Sequence, residues 1–149
     1  MKILAVDYGK RWIGLAISDD GRRLAFTYKT LINDKKLFSA LNEIIKKEEI
    51  YKIVIGLPLN KQMKPTRQTA ETERWAGELI KKVATPTHSG RSPEADARGR
   101  LSDCNVGSWN VEVDFENEIF TSKAADKLGA KNQHAAAAAI FLQSYLDRQ

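Results

Sequence analysis

The sequence predicts an α/β fold in which a mixed sheet starts as an antiparallel meander and continues through helical crossovers. Three observations carry this expectation. Residues 2–31 hold three β-rich runs joined by short turns. After them the apolar spacing changes from period two to period 3.6. Strand, helix and strand then alternate, and a crossover of that kind sets the later strand parallel to an earlier one.

Lys2-Ile3-Leu4-Ala5-Val6-Asp7 is an apolar run broken at its carboxyl end by one aspartate. Ile3 to Val6 are apolar on both faces, so this strand is expected inside a sheet covered on both sides. A glycine turn leads to a second run, Trp12 to Ser18, and Asp19-Asp20-Gly21 signals the next turn. Arg22 to Leu31 reads as a third strand. Leu37, Leu41, Ile44 and Ile45 share a helical face, with Asn33 or Asp34 placed to cap its start. Tyr51 to Pro58 is a short buried strand ended by glycine and proline. A polar, basic loop from Asn60 to Arg67 enters a second helix, whose stripe is Ala76, Leu79, Ile80 and Val83.

Residues 84–109 are rich in Pro, Gly, Ser, Asp and Arg without a sustained period, and read as a flexible or inserted, protease-sensitive segment. Val111 to Phe115 alternates as a strand. Thr121 to Leu128 suggests a short helix stopped by Gly129. Asn132 is placed to cap a last helix through Ala135 to Leu146, whose alanines favour helix and permit close packing.

At 149 residues the chain suits one domain with one sizeable core, residues 1–149. Hydrophobic content of 42% and charged content of 29% are ordinary for a globular protein in water. Asp7 interrupts the first apolar run before it could serve as a signal-peptide core, and no stretch reaches the roughly 20 apolar residues of a membrane span. Cys104 is the single cysteine, so a reducing cytoplasm is the expected setting. A net charge of +5 and a pI near 9.3 lean toward a polyanionic partner.

Asp7 is the first candidate for function. A carboxylate at the end of a buried strand needs a partner, commonly a cation or a metal. The plainer reading is that Asp7 only organises its turn. The Ser and Cys residues have no nearby base at suggestive spacing, which leaves nucleophilic catalysis unsupported.

Three stretches widen this picture. The first is Val6-Asp7-Tyr8-Gly9 with Arg11, Ile13-Gly14 and Ala16-Ile17-Ser18. The second is Val54-Ile55-Gly56-Leu57-Pro58-Leu59-Asn60. The third is Glu118 with Thr121-Ser122 and Ala125, followed by Ala135 to Leu146 with Ile140, Leu142, Gln143, Ser144 and Tyr145. In order and spacing they resemble the D-Y-G-x-x-R-x-G-x-A-x-S opening, the V-G-L-P-x-N segment, and the D-E-R-L-T-T-x-x-A block with closing helix of the YqgF family. Lys10-Arg11 stands slightly out of the opening's usual register. The family comprises Holliday junction resolvase-like proteins and pre-16S ribosomal RNA nucleases. The resemblance covers most of the chain outside residues 84–109. It implies a ribonuclease H-like fold, a five-stranded mixed sheet ordered 3-2-1-4-5 with helices on both faces.

Two departures matter. Asn117-Glu118-Ile119 stands where the family has D-E-R, and His134 stands where it usually has an aspartate. The implied catalytic and metal-binding set is therefore Asp7, Glu118 and His134. Nucleases of this fold generally hold Mg or Mn, hard ions that prefer oxygen ligands and that activate water and stabilise the leaving oxygen. Imidazole suits Mn better than Mg, so this set implies a Mn preference. A histidine near a helix start is more often a packed or capping residue; against that, the positive end of the helix macrodipole would keep its ring neutral and able to bind a metal. Lys10, Arg11, Lys61, Lys64 and Arg67 should rim the carboxyl ends of strands one and four, as a bound phosphate backbone requires. The plainer reading of these five is a solvated loop surface.

Asp114 and Glu116 share strand parity with Glu118 and are its alternates. Trp75 reads as core, His88 as exposed, and Trp12 as packed or stacked on a base. The leading expectation is a cytoplasmic, metal-dependent nuclease acting in pre-16S rRNA 5′-end processing on a ribosomal precursor particle. Its alternatives are a Holliday junction resolvase acting on branched DNA and a nucleic-acid-binding protein without catalysis. A third, an ATP-binding D-x-G loop, would need two halves of this fold, for which the length leaves no room.

Overall fold

The structure, a computed structural model, describes residues 1–60, 62, 64–83, 111–117 and 130–149, with the backbone alone for 117 and 130–132. The strands are β1 (Lys2–Tyr8), β2 (Trp12–Ser18), β3 (Ala25–Ile32), β4 (Ile50–Leu57) and β5 (Glu112–Asn117). The helices are α1 (Leu37–Lys47), α2 (Arg67–Val83) and α3 (Ala130–Leu146). The strands form one five-stranded sheet ordered β3-β2-β1-β4-β5. β2 is antiparallel to both β1 and β3, while β4 is parallel to both β1 and β5. This is the ribonuclease H-like arrangement. Among the described residues no helix is long and apolar enough to cross a membrane.

Alternation along β1 divides the core. Leu4 and Val6 face one side, where they join Ile13, Leu15, Ile53 and Ile55 beneath Leu37, Leu41, Trp75 and Leu79 of α1 and α2. Ile3 and Ala5 face the other, where Ala16 and Val54 meet Ala138, Phe141 and Leu142 of α3. Asp7 continues this second row by strand parity. Trp75 is core as expected, its ring 5.3 Å from that of Tyr8 and 6.1 Å from that of Phe38.

Element boundaries differ from expectation where polar side chains bind backbone. β3 starts at Ala25 rather than Arg22, because Asp19 Oδ1 accepts the amides of Arg23 (2.7 Å) and Leu24 (3.0 Å) and closes a turn in which Arg22 has φ 55°. Neither Asn33 nor Asp34 caps α1. Lys36 stands at that position without a side-chain bond, while Asp34 turns the chain one step earlier by accepting the Lys36 amide at 2.8 Å. α2 begins with a reciprocal box: Thr66 Oγ1 accepts the Thr69 amide (3.3 Å) and Thr69 Oγ1 accepts the Thr66 amide (2.8 Å). α3 starts at Ala130, so Asn132 lies within its first turn instead of capping it. The segment 84–109 and the short helix expected over 121–128 lie outside the described residues.

Candidate functional site

β1 delivers Asp7 to the carboxyl end of the parallel strands, where it is buried at 6% exposure. Its partner comes from the far end of the sequence. His134 Nδ1 lies 2.7 Å from Asp7 Oδ2, and the imidazole is about a third exposed. The hydrogen bond answers the cost of burying the carboxylate. It also gives the His134 ring a side-chain partner outside its own helix. His134 stands in the second turn of α3, beyond the first turn where the macrodipole acts, so the Asp7 contact and not the helix end fixes its surroundings.

Two glycines make this approach sterically feasible. Gly14 sits opposite Asp7 in the β1–β2 ladder. A Cβ added there would stand 2.0 Å from the carbonyl carbon of His134 and 2.5 Å from the Ala135 nitrogen. The α3 backbone thus rests directly on the backbone of β2. A Cβ on Gly9 would stand 2.7 Å from His134 Cε1 and 2.9 Å from Nε2, so the ring lies over the turn that follows Asp7. Both positions require the absence of a side chain rather than an unusual φ.

The same turn is held from its other side by Asn33. Its Nδ2 donates to the carbonyls of Gly9 (3.1 Å) and Lys10 (3.3 Å), and its amide donates to the carbonyl of Arg11 (3.0 Å). Three successive carbonyls of the β1–β2 turn are therefore satisfied by one residue of the β3–α1 connection.

The basic candidates are only partly brought together. Lys10 Nζ and Arg67 Nε both lie 3.4 Å from the carboxylate of Glu71 on α2, one on each oxygen. The guanidinium of Arg11, an exposed residue, lies 5.7 Å from the centre of the Trp12 ring. Lys64 sits in a tight loop organised by Asn60, whose Oδ1 accepts the amides of Gln62 (2.9 Å) and Lys64 (2.8 Å). Lys61 and Glu118 lie outside the described residues. The alternates to Glu118 are otherwise engaged: Asp114 accepts from the Tyr145 hydroxyl at 3.0 Å, and Glu116 is ion-paired with Arg148. Tyr145 stands in the last turn of α3 and Arg148 just beyond its end, both remote from His134. Burial, reinforced by the hydrogen bond to Asp114, pushes the Tyr145 hydroxyl pKa up.

A family model described as "RuvX: Holliday junction resolvase" matches residues 1–91. A protein of Maridesulfovibrio salexigens named "Putative pre-16S rRNA nuclease" is 33% identical, with 99% of each chain covered. One of the same name from Sulfurihydrogenibium is 30% identical, covering 99% of this chain and 90% of that one. The chain belongs to the RuvX (YqgF) family. Solved structures agree on the fold: Thermus thermophilus RuvC in complex with a Holliday junction substrate superposes with TM-score 0.55 at 13% identity, over 99% of this chain and 95% of that one. Fowlpox virus resolvase with its Holliday junction DNA gives 0.54 at 12% identity, over 99% and 98%.

Within this RuvX chain, three contributors were not legible as such. Gly14 belongs to the opening motif, but its purpose is visible only once α3 is seen against it. Asn33 carried a signal that pointed to the wrong partners, the amides of a helix start instead of the carbonyls of a turn. Glu71 gave no signal, being one of three glutamates along α2.

Proposed function

We propose that this chain is a metal-dependent nuclease acting as a single domain in the cytoplasm, with precursor 16S ribosomal RNA in a ribosomal precursor particle as its substrate. The observation that carries the reading is Asp7. It is a buried carboxylate at the carboxyl end of β1, engaged by a histidine from α3. It stands in a chain whose near-full-length relatives share the nuclease name.

The donor chemistry at Asp7 fits a divalent ion. One carboxylate and one imidazole meet at the sheet edge. Among the described residues no group of three such donors is present, so Asp7 and His134 would hold the ion with Glu118 as third ligand. An ion bound there would polarise the phosphodiester and activate water. The chain's own residues do the rest. Asp7 supplies the fixed negative charge, and its bond to His134 fixes the imidazole's orientation. Lys10, Arg11, Lys61, Lys64 and Arg67 bind the phosphate backbone and set its register. An imidazole in place of a carboxylate favours Mn over Mg.

A second reading, resolution of a four-way DNA junction, is supported by the family description and by the substrates of the two structural neighbours. One experiment separates them: cleavage of a labelled rRNA precursor and of a four-way junction side by side, in Mn, Mg or EDTA, with Asp7→Asn as control. Metal-dependent cutting of the RNA, lost in the variant by on the order of 10²- to 10⁴-fold, is the expected result. Preferential junction cutting would favour the second reading. Binding without cutting would mean that His134 marks a site without turnover. His134→Asp should shift the preference from Mn toward Mg; unchanged preference and rate would remove His134 from the ligand set.

A further inference from the structure

We propose that Glu71 is an internal stand-in for a backbone phosphate, holding Lys10 and Arg67 until a nucleic-acid strand displaces it. The inference rests on the nucleic-acid reading above and adds to it a defined phosphate position and an intrinsic competitor for it.

Lys10 on the β1–β2 turn and Arg67 at the start of α2 are far apart in sequence, yet one carboxylate contacts both, Oε2 toward Lys10 and Oε1 toward Arg67. The two cations are 75% and 92% exposed at their side chains, whereas Glu71 is 28% exposed. The anion is thus the fixed member and the cations reach in from solvent. Both contacts measure 3.4 Å, longer than the 2.7–2.9 Å of a well-formed charge-assisted bond. Loose, exposed pairs of this kind contribute little to stability. A backbone phosphodiester likewise carries one negative charge over two non-bridging oxygens and can take the carboxylate's place between the two cations, so exchanging the partner forfeits little. The frame around the exchange is rigid: Asn33 pins the carbonyls of Gly9, Lys10 and Arg11, and the Thr66–Thr69 box pins the first turn of α2. The backbone positions that carry the two cations therefore keep one spacing when Glu71 lets go. That position adjoins the turn that follows Asp7, where a strand crossing the proposed cleavage centre must pass.

A protein with such a stand-in binds more weakly than its cations allow, and its salt dependence understates their number. The test is equilibrium binding of a fluorescent rRNA precursor fragment to the full chain, followed from low to high salt. Wild type, Glu71→Gln, Lys10→Ala/Arg67→Ala and the triple variant are compared, with folding checked by circular dichroism. Glu71→Gln should tighten binding by about threefold to tenfold at low salt, as two released surface pairs imply. It should also steepen the log–log salt slope by about one to two. In the Lys10→Ala/Arg67→Ala background the same change should give no gain. Unchanged or weaker binding by Glu71→Gln would overturn the inference, since Glu71 would then be a scaffold for the cations. An equal gain in the double-variant background would overturn it too, by tracing the effect to net charge. A wild-type chain that binds neither this probe nor a four-way junction would instead bring down the nucleic-acid reading itself, and the inference with it.

Discussion

The two faces of the sheet are packed with side chains of different size, and the difference separates stability from positioning. Beneath α1 and α2 the contacts are large: Leu4, Val6, Ile13, Leu15, Ile53 and Ile55 against Leu37, Leu41, Trp75 and Leu79. Beneath the amino-terminal half of α3 they are small, with Gly14, Ala5 and Ala16 against Ala135 and Ala138. Large aliphatic groups bury the most apolar area and contribute most to folding. Small ones let a helix axis come close to a strand. α3 regains bulk only in its carboxyl half, at Phe141, Leu142, Tyr145 and Leu146. It is anchored at that end and leans in at the other, which sets His134 on Asp7.

Gly14→Ala should break this division most severely. The added methyl would fall 2.0 Å from the His134 backbone, so α3 must move and the imidazole with it. We expect cleavage to fall at least about a hundredfold, with a stability loss of roughly 1–3 kcal/mol from overpacking. Leu41→Ala, on the opposite face, is the control. It should cost about 2–5 kcal/mol by denaturant titration, while cleavage well below the unfolding transition stays at the wild-type level. A Gly14→Ala protein that cleaves normally would show that the close approach of α3 is incidental.

That comparison also marks what the sequence could tell. Period-two and period-3.6 spacing exposed the large face, because Leu37, Leu41, Ile44 and Ile45 repeat as a helix must. The crossovers implied that a later strand runs parallel to an earlier one, and the family resemblance implied the order 3-2-1-4-5. The small face was harder: alanines at 135–139 declare a helix but not which side meets the sheet, since small residues on every side give no stripe. The Asp7–His134 contact spans 127 positions of sequence and has no local signature, so only the family resemblance placed the two together. Asn33 was misread for the same reason: it satisfies backbone groups whose positions depend on tertiary packing.

Asn33→Ala sharpens the comparison at the boundary between the faces. It removes two side-chain bonds to the turn carbonyls of Gly9 and Lys10 and keeps the backbone bond to Arg11. The expected loss is about 1–2 kcal/mol of stability. The turn bears Lys10 and Arg11, so KM for the cleaved substrate should rise several-fold more than kcat falls. Equal effects on both, or none, would mean that the turn holds its shape without the clamp.

The smallest effect lies at the amino end of β1, away from Asp7, where the large face is stitched by charge. Glu48 accepts from Lys2 Nζ and from the Tyr28 hydroxyl, each at 3.1 Å. The Lys2 ammonium, helped by that hydroxyl, holds the Glu48 carboxyl below its usual 4.5. A carboxylate with a depressed pKa stabilises the fold above the unfolded value and loses that contribution as pH falls through the folded one. Glu48→Gln should therefore lower Tm by no more than about 3 °C at neutral pH, the scale of a part-exposed pair in a chain of this size. The gap to wild type should close as pH drops below 4.5. Cleavage at neutral pH should not change, because this network and the Asp7–His134 pair stand at opposite ends of β1. A Tm gap that persists into acid would assign the Glu48 contribution to shape instead of charge.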